Sequence, residues 1–189
     1  SSDVCSSDLP GAQIILAFIV ADKAQSCLPS WGTYYTLDQA GIALDLDRRI
    51  ARLRQQGGNI AVSFGGALNQ ELGTACTDEE ELVRAYQSVI DRYAVDTIDI
   101  DLERDNLTDQ AANQRRGRVL ARLQEAYRTN GKELAVWLTL PVAPQGLTKD
   151  GTDAVATFLA EGVDLAGVNV MTMDYGASRT AGESMFAAR

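Results

Sequence analysis

One stretch constrains this chain more than any other: Asp96-Thr97-Ile98-Asp99-Ile100-Asp101-Leu102-Glu103. Apolar and acidic residues alternate along it, the period of an extended strand. Asp99, Asp101 and Glu103 then share one face, and Ile98, Ile100 and Leu102 share the other. Aspartate and glutamate are poor strand formers, so local propensity does not account for them. Neighbours on one strand face stand about 6–7 Å apart, and like charges that close cannot all ionise freely, so at least one pKa is expected to rise. A carboxylic acid that keeps its proton near neutral pH is what a general acid requires. The bland alternative is an edge strand with a wet acidic face.

The rest of the chain separates these readings. The runs Ile14 to Val20 and Leu134 to Val142 are almost continuously apolar. Strands buried on both sides read this way, which points to a parallel sheet covered by helices. Strand and helix patterns alternate from Gln13 onward, the order of an α/β fold. In a closed parallel barrel, acids at the carboxyl ends of strands read as catalytic. The chain contains no histidine, which removes Ser-His-Asp and Cys-His catalysis and His-ligated zinc. Ser63 therefore lacks a conventional base, and no phosphate-cradling G-x-x-x-x-G-K occurs. Carboxylates are the main acid–base resource left. The net charge of −9 argues against nucleic acid and anionic membranes as partners, but not against a neutral polysaccharide. No apolar run reaches the roughly 18 residues needed to span a bilayer.

The acidic motif D-x-x-D-x-D-x-E at Asp96, Asp99, Asp101 and Glu103 resembles the signature of the family-18 glycoside hydrolases, the chitinases. Ser63-Phe64-Gly65-Gly66 before it and Met171-Thr172-Met173-Asp174-Tyr175 after it strengthen the resemblance, which covers roughly residues 13–176. It implies a partial (β/α)8 barrel, roughly strands two to six, in a secreted monomer that acts on chitin or N-acetylglucosamine oligosaccharides without cofactor or metal. Glu103 would be the acid and base, Asp101 would bond the substrate's acetamido group, and Asp99 would share a proton with Asp101. Asp96, out of phase with these, reads as structural. The resemblance also implies a cis peptide at Ala17–Phe18. The family usually has Met-x-Tyr-Asp where this chain has Met171-Thr172-Met173-Asp174, so Met173 stands in the tyrosine's place. Tyr175, Asp174 and Met171 are the remaining candidates for holding substrate, with barrel filling as the other reading of both methionines. An endo-β-N-acetylglucosaminidase on glycans and a chitinase-like sugar-binding lectin remain as alternatives.

At 189 residues the chain is short for a barrel of roughly 250, and a fragment is expected. Residues 1–9 back-translate to a common sequencing-library adapter and are expected to be an artefact rather than protein. Residues 22–44 read as a long loop whose Trp31, Tyr34 and Tyr35 either stack on sugar or form an apolar cluster. Cys27 in that loop and Cys76 after the next strand open on one face, as a disulfide suited to a secreted enzyme or as two free thiols. Helices are expected over residues 45–56, from a Thr77-to-Glu80 capping box to about Arg92, from a Thr108 cap over residues 109–129, and over residues 153–160. Arg115, Arg116, Arg118 and Arg122 look like a solvated helix face. A strand over residues 134–142 is expected to stop at Pro141 and Pro144.

Overall fold

The computed structural model describes residues 13–173. The adapter-like residues 1–9, and Asp174 and Tyr175, lie outside the described residues. In chain order the elements are β1 (Gln13–Ala21), β2 (Pro29–Trp31), β3 (Tyr35–Thr36), α1 (Leu37–Ala43), α2 (Leu46–Gln55), β4 (Asn59–Gly65), α3 (Leu72–Ala75) and α4 (Glu79–Tyr93). There follow β5 (Thr97–Asp101), α5 (Arg104–Thr108), α6 (Gln110–Thr129), β6 (Ala135–Ala143), β7 (Gly146–Leu147), α7 (Lys149–Ala160) and β8 (Leu165–Met171).

Five strands run parallel in the order β1-β4-β5-β6-β8, so each pairs with the next one along the chain across a helical connection. This is the alternating α/β architecture the sequence predicts, as an open barrel wall: among the described residues the sheet does not close. The short β2 and β3 add an antiparallel flap to β1, and β7 folds back on the end of β6.

One side of the sheet is a dry apolar layer. Ile60, Val62 and Phe64 of β4, Ile98, Ile100 and Leu102 in and after β5, and Val136, Leu138 and Leu140 of β6 are all fully buried. They join one core with Leu82, Tyr86, Val89, Leu120, Leu123 and Phe158 from α4, α6 and α7. Helix spacing explains α4: Leu82, Ala85, Tyr86, Val89, Ile90 and Tyr93 all fall on its buried stripe. Asp78, rather than Thr77, caps it by accepting from the Glu81 N–H at 2.9 Å. Likewise Asp109, not Thr108, caps α6.

Other expectations are corrected. The segment after β1 is not a structureless loop, because Thr36 and Gln39 form a reciprocal capping box that starts α1. β6 passes through Pro141. A proline is tolerated there because β5 has already ended at Asp101, opposite Thr139, leaving Pro141 paired only with Met171 of β8. Arg116 is not on a solvated face; it is fully buried. The Ala17–Phe18 peptide, by contrast, is cis as expected.

Cys27 and Cys76 form a disulfide, with Cα atoms 4.7 Å apart. It ties the segment after β1 to the end of α3 and closes a loop with a sequence separation of 49. Loop-closure entropy for that length corresponds to about 4 kcal/mol at most. The double variant Cys27→Ala/Cys76→Ala is therefore expected to lose about 2–4 kcal/mol of unfolding free energy in urea titration. An unchanged midpoint would show that the flap is held by its packing alone.

Candidate active site

The site is built from strand register. Parallel pairing places Ser63, Asp99, Trp137 and Gly167 in one row across β4, β5, β6 and β8. Gly65, Asp101, Thr139 and Asn169 form the next row toward the carboxyl end. These side chains lie on the face opposite the apolar layer, so β5 presents Ile98 and Ile100 to the helices and Asp99 and Asp101 to the interior of the barrel wall. β5 is a central strand, and both aspartates are only 5% exposed. That excludes a wet edge strand. Asp96 sits where it was placed, at the strand's start, exposed, with its carbonyl accepting from the Ala135 N–H at 2.8 Å.

The two aspartates differ in what surrounds them. Asp99 accepts the Ser63 hydroxyl on Oδ2 and the Thr139 hydroxyl on Oδ1, both at 2.6 Å. Burial pushes its pKa up, and these hydroxyls oppose the rise. Asp101 has no such help: its buried Oδ1 has no hydrogen-bond partner among the described residues. Burial first, then the charges of Glu103 and Asp99, push its pKa up to about 7.

Glu103 follows the strand in extended backbone (φ −128°, ψ 154°), so the alternation continues and Glu103 stays on the Asp99–Asp101 face. It is half-buried and stands at the N-cap of α5, yet its side chain makes no capping bond. The next residue, Arg104, has φ +50°, which turns the chain away at once.

Gly65 and Gly66 bring β4 against this point. A Cβ on Gly65 (φ +107°) would lie 2.1 Å from the Asp101 carbonyl oxygen, and the Gly66 N–H donates to that same oxygen at 3.0 Å. The glycines serve packing around the acid strand.

Met171 ends β8, half-buried, level with Pro141 and one row beyond Asn169. Met173 is exposed. Trp31 is a correction: it is 9% exposed, its indole N–H donates to the Tyr93 hydroxyl at 2.8 Å, and the two rings meet edge to face. It is a core residue, not a sugar platform. Tyr34 beside it is exposed. Thr139 was missed. The sign of it was a hydroxyl residue in the otherwise apolar Val136-Trp137-Leu138-Thr139-Leu140, on the parity of the inward row.

No protein-family model matches the chain. Over 161 residues, 85% of its length, the chain is 39% identical to a probable bifunctional chitinase/lysozyme of Escherichia coli, and 36% identical to endochitinase 11 of Metarhizium anisopliae. It spans 18% and 30% of those proteins. The catalytic domain of a hyperthermophilic chitinase from Pyrococcus furiosus superposes with TM-score 0.71 at 28% identity, over 86% of this chain and 49% of that one. A family-18 chitinase catalytic domain from the fern Peteris ryukyuensis shares the fold, with TM-score 0.63 at 19% identity over 96% of this chain and 65% of that one. The chain is a homologue of chitinases and shares the fold of family-18 chitinase catalytic domains. Its open wall corresponds to part of the family-18 barrel.

The raised pKa of Asp101 makes stability depend on pH in a stated direction. Between its ordinary value of 3.8 and about 7, the folded chain holds a proton that the unfolded chain has released. Stability therefore falls as pH rises through that window. Asp101→Asn removes this dependence. Relative to the parent chain it is expected to gain on the order of 2–4 kcal/mol between pH 4 and pH 8, read from urea unfolding at each pH. A difference that stays constant over the range would show that Asp101 titrates as an ordinary aspartate.

Proposed function

We propose that the protein hydrolyses β-1,4 N-acetylglucosaminide bonds in chitin or chito-oligosaccharides, with retention and with the substrate's acetamido group as nucleophile. The observation that carries this reading is the unequal carboxyl set on one strand face. Asp101 is buried, holds its proton to about pH 7 and has one oxygen without a partner, and Glu103 beside it is not spent on its helix. The names of the relatives support the substrate class, and Pyrococcus furiosus chitinase variants were solved with chito-oligosaccharides bound. The disulfide suits an extracellular location.

In this mechanism Glu103 gives its proton to the glycosidic oxygen as the bond to the anomeric carbon breaks. The acetamido carbonyl oxygen closes on that carbon and forms an oxazolinium ion. Water then adds to the anomeric carbon, passes a proton back to the Glu103 carboxylate, and restores the acetamido group with net retention. Such substrate assistance is a known exception to the two-carboxylate scheme. Asp101 accepts the acetamido N–H and, in its ionised form, stabilises the positive charge that develops there. Asp99, whose charged form two hydroxyl donors favour, governs how much charge Asp101 carries.

Glu103→Gln is expected to lose about 10²-fold or more in turnover. The assay compares N-acetylated with deacetylated oligosaccharides, in the natural protein that carries these residues, and reads the product anomer. Cleavage of the acetylated sugar alone, with the β-anomer formed first, is the expected result. Equal cleavage of both would remove the acetamido group as nucleophile. Binding without cleavage by the parent protein would make it a lectin.

A further inference from the structure

The chain carries a second buried polar cluster that the mechanism above does not use. Glu71 and Arg116 are both fully buried and paired, with the Arg116 Nε donating to Glu71 Oε2. Glu71 also accepts from the Tyr86 hydroxyl at 2.5 Å and the Gly73 N–H at 2.7 Å. The Arg116 fork continues to Asn113 Oδ1 at 2.6 Å, to the Thr74 hydroxyl, and to the Asn106 carbonyl at 3.2 Å. Asn106 is where this cluster meets the acid strand. It lies three residues after Glu103, and its N–H donates to the Glu103 carbonyl at 3.0 Å. Its Oδ1 accepts the Glu71 N–H and the Thr74 hydroxyl, each at 3.0 Å, and its Nδ2 donates to the Asn69 carbonyl at 2.8 Å. Every polar group of Asn106 is thus engaged, by the β4–α4 connection on one side and α6 on the other.

The segment it holds cannot hold itself. α5 has five residues, too few to be stable alone. Its Glu103 side chain supplies no cap, and Arg104 sits at φ +50°, a conformation that a non-glycine residue keeps only where its surroundings impose it. A buried ion pair is a poor source of stability, since apolar residues of like volume often serve as well or better. What a fully bonded polar cluster can supply is a single fixed position. We propose that the Glu71–Arg116–Asn106 cluster is a positioning device that fixes the Glu103 carboxyl against the glycosidic oxygen. This rests on Glu103 being the acid.

The test exploits leaving-group chemistry. A sugar alkoxide needs the proton from Glu103 to depart, whereas a dinitrophenolate departs without it. The assays use the natural protein with Asn106→Ala. The value of kcat/KM, which covers steps up to bond cleavage, is expected to fall about 10-fold or more for an N-acetylated oligosaccharide. It should change less than about 3-fold for the dinitrophenyl glycoside of the same sugar, because that cleavage takes no proton from Glu103. An equal loss on both substrates, or no loss on either, overturns the proposal. Should Asn106→Ala fail to fold, Thr74→Val removes one hydroxyl from the cluster with little change in volume, and the same selective loss is expected from it. Glu103→Gln in the same two assays tests the underlying reading separately: its loss must also be selective for the sugar leaving group. If it is not, Glu103 is not the acid, and the proposal falls with that reading whatever Asn106→Ala does.

Discussion

Two carboxyl groups held inside a sheet, two residues apart, set the terms for everything around them. Burial disfavours their ionisation, and each must find donors, keep a proton or have its pKa displaced. Strand register decides which happens where. The row of Asp99 brings Ser63 from β4, and the Thr139 hydroxyl reaches back from the row beyond, so both carboxylate oxygens are satisfied. The row of Asp101 brings Gly65, which has no side chain to offer, and Thr139, whose hydroxyl is already given to Asp99. Among the described residues Asp101 is left with one unbonded oxygen, and its pKa rises to about 7. Two chemically identical residues on one strand therefore meet different surroundings, two hydroxyl donors opposing the rise at Asp99 while burial and the charges of Glu103 and Asp99 push Asp101 up to about 7. Gly65 does this while also letting β4 close on the Asp101 carbonyl, where any side chain would collide.

The parts of the fold that the sequence made legible are those written in local periodicity. Alternation along β5 put the acids on one face, and the register around it confirmed that face as the interior. Continuous apolar runs marked β1 and β6 as strands but overstated their cover, since Ile14, Ile15 and Phe18 of β1 are exposed and β6 is fully buried only on alternate residues; the buried stripe of α4 was plain at helical spacing. What stayed illegible depended on contacts between distant segments. Trp31 looks like a sugar-stacking ring in a loop until Tyr93, 62 positions away, accepts its indole N–H and takes it into the core. Pro141 looks like a strand terminator, because nothing local says that β5 ends one row earlier. Arg116 stands among four other arginines on one helix, and only Glu71, 45 positions back, distinguishes it from a solvated side chain. Thr139 offered a weaker hint, since a lone hydroxyl on the inward parity of an apolar strand wants a partner, but Asp99 could be named as that partner only once β5 and β6 were paired.

The two buried polar clusters answer the same electrostatic problem in opposite ways, and the contrast follows their places in the fold. Around Arg116 the charges are opposite and the donors are counted out: both Glu71 oxygens and all three guanidinium nitrogens have partners, so nothing there is poised to change state. On the β5 face the charges are alike and one oxygen is unsatisfied, so the local arrangement is costly until something arrives to bond it. A protein that needed only stability would satisfy that oxygen as it satisfies Glu71. The satisfied cluster lies directly behind the unsatisfied one along the chain, from Asn106 to Glu103. The rigidity of the first thus bears on the position of the second, and the strain at Arg104 is held between them.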